Sequence, residues 1–262
     1  MKSRLVIIVT LLAITSTTAH ANPVGEKKRK TRTIAILGGG LLYATSELAV
    51  KDQLSPDHCR WCEPPNLDAT IRDKLVWSDV ALAHKLSNLT GYAGAPVLAV
   101  GLLVIASSDV QDSRLMTLAD DVIPVAESAV YTQLLTQIVK FSVGRQRPYA
   151  HFTTDFTPGN DDNLSFISGH SSLTFSIAVS AGMVAHRRGY KLEPVIWASG
   201  LTLAALTAYL RIAADRHYFT DVLAGSAVGV AGGYLIPRLT GSLPDRVAIV
   251  PSGNGLTVVG SF

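Results

Sequence analysis

Cysteine is almost absent from this chain of 262 residues: Cys59 and Cys62 are its two thiols. A lone C-x-x-C lacks the second pair that a four-cysteine zinc site needs. A redox pair would open a helix beside a strand, whereas Pro56, Pro64 and Pro65 make this stretch a loop. A small structural disulfide in an exported compartment is the expectation for Cys59 and Cys62. Charge is also sparse, at 16% of residues, and the formal net charge is only +3. That balance gives no reason to expect a nucleic-acid partner. Gly38-Gly39-Gly40 has no Lys-Ser/Thr after it and no strand pattern before it, so it is a poor phosphate loop and fits helix packing. No long internal repeat and no low-complexity tract occurs.

Apolar residues make up 48% of the chain, high for a soluble domain. Residues 1–21 read as a secretory signal: Lys2 and Arg4, an apolar core, then Ala19-His20-Ala21 as a cleavage site, with an uncleaved anchor as the alternative. Apolar periodicity predicts helices over 33–50, 67–88, 92–107, 119–144, 171–187, 194–214 and 220–239. The 67–88 segment carries Asp68, Arg72, Asp73, Lys74, Asp79 and Lys85, and is expected to be an amphipathic surface helix. Residues 149–164 are expected to form a polar loop. The expected fold is all-α: a bundle of about six core helices over 33–240, embedded in a membrane. Strand patterns at 247–250 and 256–259 around Pro251-Ser252-Gly253-Asn254-Gly255 predict a short β-hairpin tail within 241–262.

Five runs of about 16–20 apolar residues sit at the lower edge of what crosses a bilayer. Lys27-Lys28-Arg29-Lys30 and His186-Arg187-Arg188 would share the cytoplasmic side if six runs span. The cysteine loop and the motifs below would then face the periplasm. A cleaved signal instead leaves Lys27–Lys30 outside, which is the soluble periplasmic alternative.

Three stretches carry the chemistry. In Lys140-Phe141-Ser142-Val143-Gly144-Arg145-Gln146-Arg147-Pro148, Lys140 and Arg147 are almost two helical turns apart and are expected on one helix face. Two cations there suit a phosphate. In Ser168-Gly169-His170-Ser171-Ser172, a serine cap and glycine open a helix whose free N–H groups bind anions, with His170 beside them. In the stretch from Arg211 to Asp221, His217 and Asp221 are four apart and a third cation, Arg211, precedes them. Taken singly, each also fits a plainer role: a basic helix end, an ordinary cap, a surface His–Asp pair.

Order, spacing and residue types together resemble the type 2 phosphatidic acid phosphatase superfamily, which includes bacterial acid phosphatases and vanadium haloperoxidases. Its pattern is Lys, six residues, Arg-Pro; then Pro-Ser-Gly-His; then Ser-Arg, five residues, His, three residues, Asp. Ile167 and Leu210 stand where the family has proline and serine. The resemblance implies that His217 attacks phosphorus and forms a phosphohistidine. Asp221 would orient His217, and His170 would protonate the leaving alcohol. Lys140, Arg147, Arg211, Ser168 and Gly169 would hold the phosphoryl oxygens. It implies no metal or other cofactor. The expected enzyme is a phosphatase of the inner membrane with a periplasm-facing site, acting on a phosphorylated lipid or a small phosphate ester. The alternatives are a soluble broad-specificity acid phosphatase, a vanadium haloperoxidase, and a membrane protein with a degenerate site.

Overall fold

A computed structural model describes residues 23–109, 114–154, 159–241, 247–252 and 255–260. The expected signal at 1–21 lies outside the described residues. Helix α1 spans Pro23–Leu48 and is followed by a single turn, α2, Lys51–Leu54. Helix α3 is Asn66–Leu75 and α4 is Val80–Asn88. A π-helical turn, Leu89–Gly94, joins α4 to α5, Ala95–Ala106. Then come α6, Arg114–Val143, and the short α7, Pro148–Phe152. The last three helices are α8, Gly169–Arg188, α9, Glu193–Ala213, and α10, Phe219–Leu239. In the tail, β1, Val247–Ser252, pairs antiparallel with β2, Gly255–Gly260.

Among the described residues six long rods result, counting α4, the π turn and α5 as one. Helix α8 lies at their centre, packed by α6, α9, α10 and α5. It is rich in small and hydroxyl residues, and Ser171, Ser172, Ser176, Ser180 and Ala181 are all buried. Hydroxyls in the bundle bond back to their own helix, as Thr174 does to the His170 carbonyl and Ser180 to that of Ser176. This leaves few polar groups unmet in an apolar setting. Helix α10 meets α8 through glycines four residues apart. A Cβ at Gly229 would lie 2.6 Å from the Ser172 carbonyl oxygen, and one at Gly233 2.7 Å from that of Ser176.

Val80–Ala106, Glu193–Ala213 and Phe219–Leu239 are long and apolar enough to cross a membrane. Their outer faces expose Val97, Ile105, Leu206, Leu223 and Leu235. A belt of this kind is what lipid covers and water does not.

The sequence reading needs three corrections. The single helix expected over 67–88 is broken at 76–79. There the Trp77 amide donates to the Ala213 carbonyl at 3.1 Å, and Asp79 restarts the helix by accepting from the Leu82 amide at 2.8 Å. Nor is its start superficial: Asp68 is fully buried. Lys140 and Arg147 do not share a helix. Helix α6 ends at Val143, Gly144 turns the chain at φ +64°, and Arg147 is extended. Nor are residues 149–164 wholly a loop, because α7 takes in Pro148–Phe152.

Cys59 and Cys62 form a disulfide. Their loop is pinned to the turn after α6: the Arg60 amide donates to the Gly144 carbonyl at 2.9 Å, and the Gln146 amide to that of Trp61 at 3.0 Å. The pinned loop sets the Trp61 ring 3.9 Å from the Arg145 guanidinium.

Candidate active site

The three stretches converge at one end of the bundle. Helix α6 brings Lys140 to the start of α8: its Nζ would lie 3.3 Å from a Cβ built on Gly169. Ser168 caps α8, accepting from the Ser171 hydroxyl at 2.9 Å and from the Ser171 amide. Its own amide donates to the Asp221 carbonyl at 3.0 Å, tying α8 to α10. That contact is close because Gly225 lacks a side chain; a Cβ there would sit 2.5 Å from the Ser168 carbonyl oxygen. The unpaired first-turn amides of a helix such as α8 form an anion site.

His217 is 1% exposed. Its Nδ1 lies 2.7 Å from the Ser165 carbonyl oxygen. A carbonyl only accepts, so Nδ1 carries the proton and Nε2 keeps its lone pair. Arg147 Nη1 stands 3.3 Å from Nε2. Burial lowers the His217 pKa well below the ordinary histidine value, and the nearby Arg147, Arg211 and Lys140 charges lower it further. The imidazole is therefore neutral, with the lone pair of Nε2 available.

Asp221 lies 3.7 Å from His217 Nδ1, beyond hydrogen-bond reach. Its Oδ2 instead accepts from the Ser165 hydroxyl at 2.6 Å and from the Tyr218 amide at 2.8 Å, while Oδ1 accepts from Arg145. Arg145 also donates to Asp68 at 2.6 Å. Asp68 in turn accepts from the Thr220 amide at 2.9 Å and the Thr220 hydroxyl at 2.6 Å. The guanidinium is held between the rings of Trp61 and Tyr218. This buried network braces the turn that carries His217. The other side of that turn is held at Asp215, whose φ is +54° and whose carboxylate takes a bidentate pair from Arg72, both bonds 2.7 Å.

Arg211 comes from the last turn of α9. Its Nη1 donates to Ser87 Oγ at 3.0 Å and lies 3.2 Å from His84 Nδ1. Its Nε is buried and, among the described residues, has no partner. An unmet cationic N–H inside a site is what an incoming phosphoryl oxygen satisfies. His170 bonds through Nε2 to Asn88 Oδ1 at 2.8 Å, and its ring centroid is 4.5 Å from that of Tyr92. The π-helical turn makes room for it: a Cβ at Gly91 would fall 2.8 Å from His170 Cδ2. Such turns in otherwise regular helices mark functional positions.

An acidic side chain already lies among the cations. Asp161 accepts from Arg147 Nη2 at 3.0 Å and from Lys51 Nζ at 2.7 Å, and its carbonyl takes Arg147 Nε at 2.8 Å. Burial alone would raise the Asp161 pKa, but Arg147, Lys51 and Lys140 hold it well below the usual carboxylate range. Asp161 stays charged and its carboxylate stands in for an anion.

All eight motif residues thus meet at this site: Lys140, Arg147, Ser168, Gly169, His170, Arg211, His217 and Asp221. Ile167 and Leu210 are buried, at 2% and 3% exposure. Sequence reasoning missed Asp68, His84, Asn88, Arg145, Asp161 and Ser165. The signal for two of them was local: His84 and Asn88 are four apart on α4 and share a face. Among the described residues no group of three His, Cys, Asp or Glu side chains is placed to hold a metal ion.

Residues 121–243 match the PAP2 superfamily. The matched segment contains all three motif stretches, while Asp68, His84 and Asn88 lie before it. The chain is 35% identical over 96 residues to a lipid A 1-phosphatase of Porphyromonas gingivalis, covering 37% of this chain and 18% of that protein. It is 31% identical over 116 residues to a PA-phosphatase related-family protein of Dictyostelium discoideum, covering 40% and 43%. The chain therefore spans less than half the length of either relative. It also superposes on a transmembrane PAP2 type phosphatidylglycerolphosphate phosphatase from Bacillus subtilis with a TM-score of 0.46, at 15% identity, over 82% of this chain and 97% of that one.

Proposed function

We propose that this protein is a metal-independent phosphatase of a membrane-bound phosphate monoester or pyrophosphate, working through a phosphohistidine. One observation carries the reading: the His217 Nε2 lone pair faces Arg147 among cations and has a proton fixed on its far nitrogen. The PAP2 match and the lipid phosphatases among its relatives support the same reaction class.

The geometry supports the following steps. A phosphoryl group displaces the Asp161 carboxylate from Arg147 and gains Lys140, Arg211 and the α8 amides. Charge stabilisation and positioning of this kind supply most of the catalysis in phosphoryl transfer. His217 Nε2 attacks phosphorus as the bond to the leaving oxygen breaks. A bound phosphate dianion favours the charged form of His170, which gives its proton to that oxygen, and the alcohol departs. The phosphohistidine keeps its Nδ1 proton on Ser165, with Asp221 nearby to balance the new positive charge. Neutral His170 then takes a proton from water as hydroxide attacks phosphorus. The P–N bond breaks, and its electron pair returns to Nε2.

The apolar belt supports a lipid substrate. The basic ends of α1 and α8 support a periplasmic site, since they lie at the end of the bundle away from His217 and basic ends favour the cytoplasm. Residues 33–240 act as one catalytic domain in this reading. The test is phosphate release in EDTA from an aryl phosphate and from a panel of phospholipids, together with an acid-quench search for phosphoprotein. Release and an acid-labile phosphoenzyme that both vanish in His217→Ala are expected. Release that survives this substitution would overturn the mechanism.

A further inference from the structure

Asp161 marks a cation that the reaction above does not use. Its Oδ1 accepts from two donors at once, Arg147 Nη2 at 3.0 Å and Lys51 Nζ at 2.7 Å. Its Oδ2 faces Arg216 Nη1 at 3.9 Å. The other terminal nitrogen of Arg147 stands 3.3 Å from His217 Nε2. An oxygen held by Arg147 beside His217 is thus also within reach of Lys51. Lys51 belongs to α2, ahead of the segment 121–243 and outside the three motif stretches.

Lys51 has a second anchor that does not depend on Asp161. Its Nζ donates to Glu47 Oε1 at 2.7 Å, one turn back along the chain. Glu47 Oε2 in turn accepts from Gln137 Nε2 at 2.7 Å. Gln137 lies on α6, three residues before Lys140. The corner between α1 and α2 is thereby fastened to the helix that carries a motif cation. Asp161 sits on a short turn, Asn160–Asn163, and its side chain is 37% exposed. It can give up its place to a ligand oxygen while Glu47 keeps Lys51 in position. Burial opposes the charge on Lys51, but Asp161 and Glu47 raise its pKa above the ordinary lysine value. The ammonium therefore stays charged, a compact donor suited to a phosphate oxygen.

We infer that Lys51 is a further phosphate-binding residue: once Asp161 is displaced, Lys51 and Arg147 donate to the same oxygen of the phosphoryl group beside His217. The inference rests on the reading of this site as one for phosphate esters. It adds a fourth cation to Lys140, Arg147 and Arg211.

The test measures binding of inorganic phosphate and of vanadate to the detergent-solubilised full chain by titration calorimetry, which needs no turnover. The signal that counts is the part lost in Arg147→Gln. Lys51→Gln should weaken binding by about tenfold or more, the worth of one hydrogen bond to a charged group. Lys51→Arg, which keeps the charge, should retain it. Lys51→Met should show the same loss and serves if Lys51→Gln does not fold. The loss should persist when Lys51→Gln is made in an Asp161→Asn background. No loss in that background would overturn the inference, because Lys51 would then act only as a partner of Asp161. Release of phosphate that depends on His217, with binding unmoved by Lys51→Gln, would also overturn it and leave the phosphatase reading intact. Binding that depends on Lys51, in a chain that releases phosphate from no ester, would overturn the phosphatase reading and leave this inference standing.

Discussion

His217 Nδ1 donates to the backbone carbonyl of Ser165 at 2.7 Å. The tautomer of this imidazole is thus fixed by main chain, which no side-chain substitution removes. Asp221 works one step back: it accepts from the Ser165 hydroxyl and from Arg145, and so holds both the carbonyl and the turn in place.

Removing that carboxylate should therefore cost stability as well as rate. Asp221→Asn leaves Arg145 buried with only Asp68 to balance it. Breaking a buried pair in this way costs about 3–5 kcal/mol. His217→Ala removes no partner of Arg145 and should melt close to the wild type. Denaturation curves of the two variants check this; equal melting would mean that Asp221 acts on His217 alone.

The pH profile follows from the lowered pKa of His217. The free enzyme needs a neutral imidazole, so the acid limb of kcat/KM should fall below the ordinary histidine value of about 6.5. Arg147→Gln removes a cation that opposes protonation and should move that limb to higher pH, besides lowering the rate. The stability sign is the reverse of a salt-bridged histidine. The unfolded chain takes up a proton at the ordinary value and the folded one resists it, so this group's contribution to stability falls as pH drops below that value.

In the proposed mechanism Asp161 competes with the substrate for Arg147. Asp161→Asn should tighten inhibition by vanadate or phosphate by about tenfold, equivalent to about 1.4 kcal/mol. Inhibition constants for the two proteins decide it. Weaker inhibition in the variant would show that the carboxylate organises the cations instead of occupying their site.

Asn88 orients His170, and the effect of losing it should depend on the leaving group. Asn88→Ala should slow an alkyl phosphate by about tenfold or more, because its alkoxide needs the proton that general acid catalysis supplies. A nitrophenyl phosphate, whose leaving group is already stable as an anion, should be slowed much less. Gly91→Ala crowds the same ring and should show the same split. A uniform loss on both substrates would point to misfolding of the π-helical turn.

The motif residues and the long helices were legible because each is written within one short stretch. The spacing of Lys140 and Arg147 gave the right pair for an incomplete reason: a glycine turn, not a shared helix face, brings them together. Asp68 was read as a surface charge because α3 looks amphipathic, and nothing local reports that Arg145 and Thr220, 77 and 152 residues away, bury it. Asp161 was invisible for a similar reason. Its polar loop carries no periodicity, and its partners lie on α2 and in the turn after α6.

The segment 121–243 does not build the site alone. Asn88 on His170, Ser87 and His84 on Arg211, and Asp68 on Arg145 all arrive from helices that precede it. Of these contacts only that of Asn88 acts on His170; the others support Arg211 and the turn that carries His217. Exchanging the π-helical turn alone, which packs on His170 through Gly91 and Tyr92, should re-tune which alcohol is expelled while leaving the attack on phosphorus untouched. Leaving-group preference would then diversify through a part of the sequence where the three motifs impose no constraint.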